Sequence, residues 1–339
     1  MFCLMIRTDG LPERRMSQNF FTKLLLSMVL LPQIACAAQG AYPERPIRLI
    51  IPQATGGGSD TIGRYMAQRL GDALGQNFVV DNRPGAAGML GALIVKDSVA
   101  DGHTMLLCAI DTITAPIVAQ HKTLDGVRDF SPVTQLTQSP NIWLVGLSFP
   151  AKTMNELVAA AKAKPGQIDY ASSGIGGMQH LGAELLNKMA GIQLNHVPYK
   201  GGPPGLVDVM AGRVPSILSG TQGALPHIKA GKIRALSVTT LKRLPALPEI
   251  PTAAEALGIR DYEVTNWQGF LFPAGAPKAV AETISAAAVK ILGAADTRAR
   301  LDELGYLPSG MTPAQMANMM AAEKKRWTAL ISEAGIKAE

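Results

Sequence analysis

The sequence predicts an α/β fold in which mostly parallel sheets are flanked by helices. Three observations point to it. From Pro46 onward, short apolar runs alternate with amphipathic stretches, the pattern of strands joined through crossover helices. Hydrophobic residues make up 47% of 339, and only 5% are aromatic, so one large or two medium domains can bury a core built mainly of aliphatic side chains. The 34 glycines and 23 prolines are spread out, which marks many short connections rather than low-complexity sequence.

Taken in order, RLIIP (48–52), NFVVD (77–81), HTMLLCAI (103–110), NIWLVGL (141–147), IDYASS (168–173), NHVPY (195–199), PSILS (215–219), RALSVTT (234–240) and WQGFLF (267–272) read as strands. Between most of them lie helices. Over residues 60–74, Ile62, Met66, Leu70 and Leu74 recur at intervals of four, and Gly75 closes the helix. The stretch TMNELVAAAKAKPG opens on Thr153 with Glu156 three residues on, a capping box, and stops at Pro165-Gly166. A last helix starts with Thr312 as N-cap, Pro313 at the first helical position and Gln315 at the third. Its Met316, Met319, Met320 and Trp327 read as core.

The N-terminus reads as a secretory signal peptide over residues 1–37. Arg14, Arg15 and Lys23 precede the apolar run 24–31, and Ala35, Ala37 and Ala38 follow, with cleavage after Ala37 or Ala38 and Met16 as a plausible start. The run is too short to anchor in a bilayer. Cys36 offers lipidation as an alternative, although Gln33 stands where a lipoprotein signal has leucine. Removing the leader takes four cations and two acids with it, so a net charge of +6 falls to +4. That small excess forms no basic stripe and argues against nucleic acid as a partner. Cys108 is then the only cysteine, which forbids an intramolecular disulfide, and its apolar neighbours mark a core residue.

The chemistry lies in two glycine turns, each between a strand and a helix. In Gln53-Ala54-Thr55-Gly56-Gly57-Gly58-Ser59-Asp60 and again in Ser172-Ser173-Gly174-Ile175-Gly176-Gly177-Met178, glycine lets backbone N–H groups approach a ligand, and the helix that follows adds a positive N-terminus. Both suit an anion, and they could belong to two lobes facing one cleft. Neither is a nucleotide site of known pattern. The first lacks the Lys-Ser/Thr pair of a P-loop, and the second lacks an acidic residue at the end of a following strand. No G-x-S-x-G or H-E-x-x-H occurs, and five scattered histidines lack metal-ligand spacing. His180 reads more readily as a satisfied structural residue than as a ligand contact. The chain therefore reads as a binding protein without cofactor or metal. An exported α/β hydrolase is the rival from another class, and it lacks a nucleophile, base and orienter.

At this point YPERPIRLIIP, GGGSD, FVVDNRPGAAGMLGA, DGHTMLL, YASSGIGG, HVPYKGG, LPHIKAGKIRALSVTT, LPEIPTAAEA and FLFPAGAPK, in order from Tyr42 onward, carry a resemblance. The chain resembles the Bug-type receptors, periplasmic solute-binding proteins of tripartite tricarboxylate transporters. The resemblance implies a two-lobed, Venus-flytrap fold of type II-like periplasmic binding proteins, with residues 42–141 plus 268–339 as lobe 1 and 142–267 as lobe 2. It implies a monomer in the periplasm that holds a small organic carboxylate in the cleft and delivers it to integral-membrane permease subunits, or else reports it to a signalling kinase. The two glycine turns would hold the ligand through backbone N–H groups and small hydroxyls. The loop holding Asp111 and Thr112, the turn at Ser219-Gly220 and, near the second crossover, Trp267 would line the cleft.

Departures from the family pattern bear on the ligand. Gln53-Ala54 replaces a usual Phe-Pro, Ile175 replaces an Asn, and Ser219 replaces an Asp. Neutral Gln53, Ile175, Met178 and Ser219 lead to the expectation of an acid with an apolar body, bound better than citrate or an amino acid.

Overall fold

The computed structural model describes Gly10, residues 42–199 and residues 201–337. Apart from Gly10, the leader lies outside the described residues, as do its cleavage at Ala37 or Ala38 and the alternative at Cys36. From Pro43 onward the described residues form one compact unit. Its first βα units are parallel. Strand β1 (Ile47–Ile51) runs between β2 (Phe78–Asn82) and β3 (Thr104–Ala109), both parallel to it. Four of the five residues of β1 are buried, the continuous apolar run expected of a strand covered on both faces. A second parallel set consists of β5 (Asp169–Ser172) between β6 (Asn195–Pro198) and β7 (Ser216–Gly220).

Two antiparallel strands join these sets. β9 (Thr265–Pro273) pairs with β3, and β4 (Phe130–Val145) pairs with β9, giving the order β2-β1-β3-β9-β4-β7-β5-β6. β8 (Arg234–Val238) and the short β10 (Leu307–Pro308) also pair with β4. The sheet is thus mixed: parallel where strands and helices alternate in sequence, antiparallel along β4 and β9.

The first eleven residues of β4, FSPVTQLTQSP, are not among the runs that read as strand. Their two prolines hid them, because proline cannot donate to a ladder. The ladder shifts register just after Pro132, and Pro140 is the last residue to face β9. At Asn141 the strand changes partners, leaving β9 for β7 and β8. Asn141 is fully buried there. Its amide donates to Val264 O at 3.1 Å, while its main chain exchanges hydrogen bonds with Thr239. The Thr239 hydroxyl also reaches Val264 O, at 2.5 Å.

The helices cover the sheet. α1 (Gly58–Leu74) buries Ile62, Met66 and Leu70 and ends at Gly75 in the left-handed conformation. Gly63 lets it lie close, since a Cβ there would stand 2.5 Å from Ile51 Cδ1. The later helices are α2 (Met89–Lys96), α3 (Asp111–Val118), α4 (Met154–Ala163), α5 (Met178–Ala190), α6 (Gly202–Met210), α7 (Thr221–Lys229), α8 (Ala253–Leu257), α9 (Lys278–Gly293), α10 (Ala295–Glu303) and α11 (Pro313–Glu333). The Thr312/Gln315 box that opens α11 is complete. At α4 only half the box forms: Thr153 caps Glu156 N–H, but the Glu156 carboxylate reaches past it to Lys152 N–H at 2.5 Å. Met316, Met320 and Trp327 are buried, and Met319 packs beside them.

Gly269 sits in the middle of β9, where a Cβ would approach Met316 Cε to 2.6 Å and the backbone oxygen of Thr134 to 2.8 Å. The methionine can give way, but the β4 backbone cannot. Gly269→Ala should therefore cost roughly 1–3 kcal/mol and lower the thermal midpoint. A melting curve superimposable on that of the parent protein would show that β4 and β9 are not as tightly apposed as described.

Candidate ligand-binding site

The two glycine turns fold with the same hydrogen-bond layout. In the first, Gly56 has φ +84, and its N–H donates to the Asp60 carboxylate at 2.9 Å. In the second, Gly176 has φ +73, and its N–H donates to His180 Nδ1 at 3.0 Å. Gly57 and Gly177 close weak turns onto Ala54 O and Gly174 O, each at 3.4 Å, and their own carbonyls start the helices. No side chain caps either helix, so the first amides of α1 and α5 are left for something else.

The structure gives Asp60 and His180 the same task, four residues after the glycine they hold. Asp60 is buried and also bound by Arg64 Nε and Asn82 Nδ2. Burial alone would raise its pKa, but Arg64, the Gly56 N–H and Asn82 hold the carboxyl below the usual range. Asp60 thus supports the turn. His180 stacks on His196 with ring centroids 3.9 Å apart, and His196 stacks on Tyr170. Burial pushes the His180 pKa down to about 3 and that of His196 to about 4, so both rings are neutral. A neutral ring accepting at Nδ1 carries its proton on Nε2.

A cavity of about 420 Å³ opens beside the second turn. Ser173, Gly174, Ile175, Gly176 and Gly177 form one wall; Asp111, Thr114, Ala115, Val118 and Ala119 form the facing wall, and Ala86, Ala87 and Met89 a third side. The walls are close: a Cβ on Gly176 would stand 2.9 Å from Val118 Cγ1. Sequence reasoning placed Asp111 and Thr112 on a loop, but they begin α3, whose Pro116 disguised it. On a helix the cavity face is Asp111, Thr114, Ala115 and Val118, so Thr112 points away and is buried.

The third side was also missed. Residues 85–88 all have positive φ, and Ala86 (+46) and Ala87 (+52) do so without being glycine. Each such alanine costs roughly 1–2 kcal/mol. The alternation of glycine and alanine in RPGAAG was the available signal, and backbone strain beside a cavity points to a functional constraint.

Asp111 lines the cavity and takes a hydrogen bond from Gln53 Nε2 at 3.0 Å. Burial pushes its carboxyl up to about 6, against the pull of Gln53 and of the backbone amides of residues 111 and 112. Asp111 Oδ1 and Gln53 Oε1 are shut off from solvent with no hydrogen-bond partner among the described residues.

Other expected site residues lie elsewhere. Thr55, Gly56, Gly57, Gly58 and Ser59 stand at the start of α1, outside the cavity lining. Gly57 is extended (φ −76), so the left-handed glycine of this turn is Gly56. Ser172 is buried beneath the second turn, 2.6 Å from His196 Nε2. Met178 belongs to the core. Ser219 is buried in β7 opposite Ile142, and Trp267 is a core residue of β9; neither lines the cavity. Cys108 is buried, with its thiol on Gly269 O.

Known proteins resemble this chain in sequence and fold. Protein BugT of Bordetella pertussis is 31% identical over 301 residues, 87% of this chain and 91% of BugT. The structure titled R. palustris Rpa4515 with adipate is 34% identical with a TM-score of 0.76, over 87% of this chain and 99% of that one. MatC (Rpa3494) from Rhodopseudomonas palustris with bound malate is 29% identical with a TM-score of 0.71, over 86% of this chain and all of that one. Both confirm the α/β periplasmic-binding-protein fold. Residues 62–336 match the model of the tripartite tricarboxylate transporter family receptor, and the chain belongs to that family of non-catalytic solute-binding receptors.

Proposed function

We propose that this protein is an exported periplasmic receptor that captures a small organic carboxylate and delivers it to the integral-membrane permease subunits of a tripartite tricarboxylate transporter. The observation that carries the reading is the repeated glycine turn, which leaves two sets of helix N-terminal amides without side-chain caps, one set beside the cavity. The adipate and malate of the two neighbours support a carboxylate as ligand. The leader over residues 1–37 accounts for export.

In this reading residues 42–141 with 268–339 form one lobe, and residues 142–267 the other. The change of ladder at Asn141 and the start of β9 at Thr265 support hinges near residues 141–143 and 265–269. A buried carboxylate with one unmatched oxygen also fits a binding site better than a scaffold, because it costs stability.

Three measurements test the reading. Gly177→Val and Gly57→Val replace glycines whose backbone is extended, so both variants should fold. Calorimetry with adipate and malate should show at least a roughly tenfold loss in each, about 1.4 kcal/mol, and an unaffected variant removes its turn from the site. Small-angle scattering should give a smaller radius of gyration at saturating ligand, whereas identical profiles would exclude closure.

The third concerns Asp111. Its pKa is raised from 3.8 to about 6, so the folded state keeps a proton that the unfolded state has lost. Its contribution is therefore neutral below pH 3.8 and increasingly destabilising up to about pH 6, by as much as about 3 kcal/mol. Asp111→Asn should raise the melting temperature more at pH 7.5 than at pH 4. An equal shift at both would refute the buried charge.

A further inference from the structure

We infer that the ligand presents a hydrogen-bond donor, an ammonium or a hydroxyl group, to an acceptor pair made by Asp111 Oδ1 and Gln53 Oε1; the inference rests on the carboxylate-receptor reading above. The single hydrogen bond between the two side chains fixes both. Gln53 Nε2 donates to Asp111 Oδ2, and turning the amide over would set its oxygen against a carboxylate. That bond leaves Oδ1 and Oε1, which can only accept while Asp111 is ionised. Both are closed off from solvent and unpartnered among the described residues, a condition that folded proteins rarely leave unexplained.

The side chains of the cavity have no donor to offer them. No lysine, arginine or histidine lines it. Its two side-chain hydroxyls are engaged: Thr114 Oγ1 donates to Ile110 O, and Ser173 Oγ donates to Gln179 Oε1. The backbone amides of residues 111 and 112 pull on the Asp111 carboxyl, yet Oδ1 is left without a hydrogen-bond partner among the described residues. A plain acid brings only acceptors, and a second carboxylate at this end would face a like charge in a poorly hydrated place. An acid carrying N–H or O–H groups satisfies the pair instead. This inference departs from the expectation of an apolar-bodied acid. That expectation drew on Gln53, Ile175, Met178 and Ser219, of which only Ile175 lines the cavity, and it gave no weight to the charge of Asp111, which also lines it.

The test is titration calorimetry with two matched sets of probes, succinate, malate and aspartate on one skeleton and adipate with 2-aminoadipate on another. In the parent protein a donor-bearing member should bind at least tenfold tighter than the unsubstituted acid of its set. Asp111→Asn and Gln53→Met, each checked for folding by circular dichroism, should shrink that preference at least tenfold for ammonium and at least threefold for hydroxyl. The unsubstituted acids should bind no more weakly to either variant, and more tightly to Asp111→Asn, which lacks the like charge. If succinate and adipate bind as tightly as their substituted partners, the acceptor pair does not select the ligand and the inference is overturned. The parent-protein comparison decides this even if both variants misfold. Tight binding of a plain acid would leave the receptor reading standing. Failure of every acid to bind the folded protein would overturn that reading, and the inference with it.

Discussion

Asn141 is the residue on which the rest of the architecture turns. A sixteen-residue strand belongs to one ladder before it and to another after it. A strand can change partners only if the backbone groups at the change find other bonds, because an unpaired buried amide costs as much as a lost hydrogen bond. Thr239 and Val264 supply them, tying the end of β8 and the residue before β9 to the same point. The side-chain oxygen of Asn141 then accepts from Gln179 Nε2 at 3.1 Å, and Gln179 Oε1 accepts from Ser173. One buried amide therefore links both crossover strands to the glycine turn beside the cavity. Changing its shape or charge would disturb the ladder and the turn together.

Much of this was legible in the sequence. Every apolar run read as a strand is one, because in a covered sheet a buried strand is a bare hydrophobic run. Helix ends at Gly75 and Thr312 were fixed by local chemistry, which needs no tertiary context. The two glycine turns were visible for the same reason, since a backbone that must adopt positive φ announces itself as glycine.

What stayed hidden was hidden by proline and by tertiary support. Pro132 and Pro140 masked the first part of β4, and Pro116 masked α3, which moved the cavity face from Asp111 and Thr112 to Asp111, Thr114, Ala115 and Val118. The left-handed turn at Ala86 and Ala87 runs against the preference of alanine, so only the flanking Gly85 and Gly88 hinted at it. The partner of Gly56 is a carboxylate and that of Gly176 an imidazole, and only coordinates reveal that two dissimilar side chains perform one task.

The stacked imidazoles beneath the second turn carry a practical meaning for such a receptor in a medium that turns acid. Histidine ordinarily changes charge between about pH 5 and 8. Here His180 would have to give up its bond to the Gly176 N–H in order to be protonated at Nδ1, and it would face a second ring at van der Waals distance. The pair stays uncharged until about pH 4. Acidification through the ordinary histidine range thus leaves the curvature of this turn alone, and what it alters at the mouth of α5 is the ionisation of the solute.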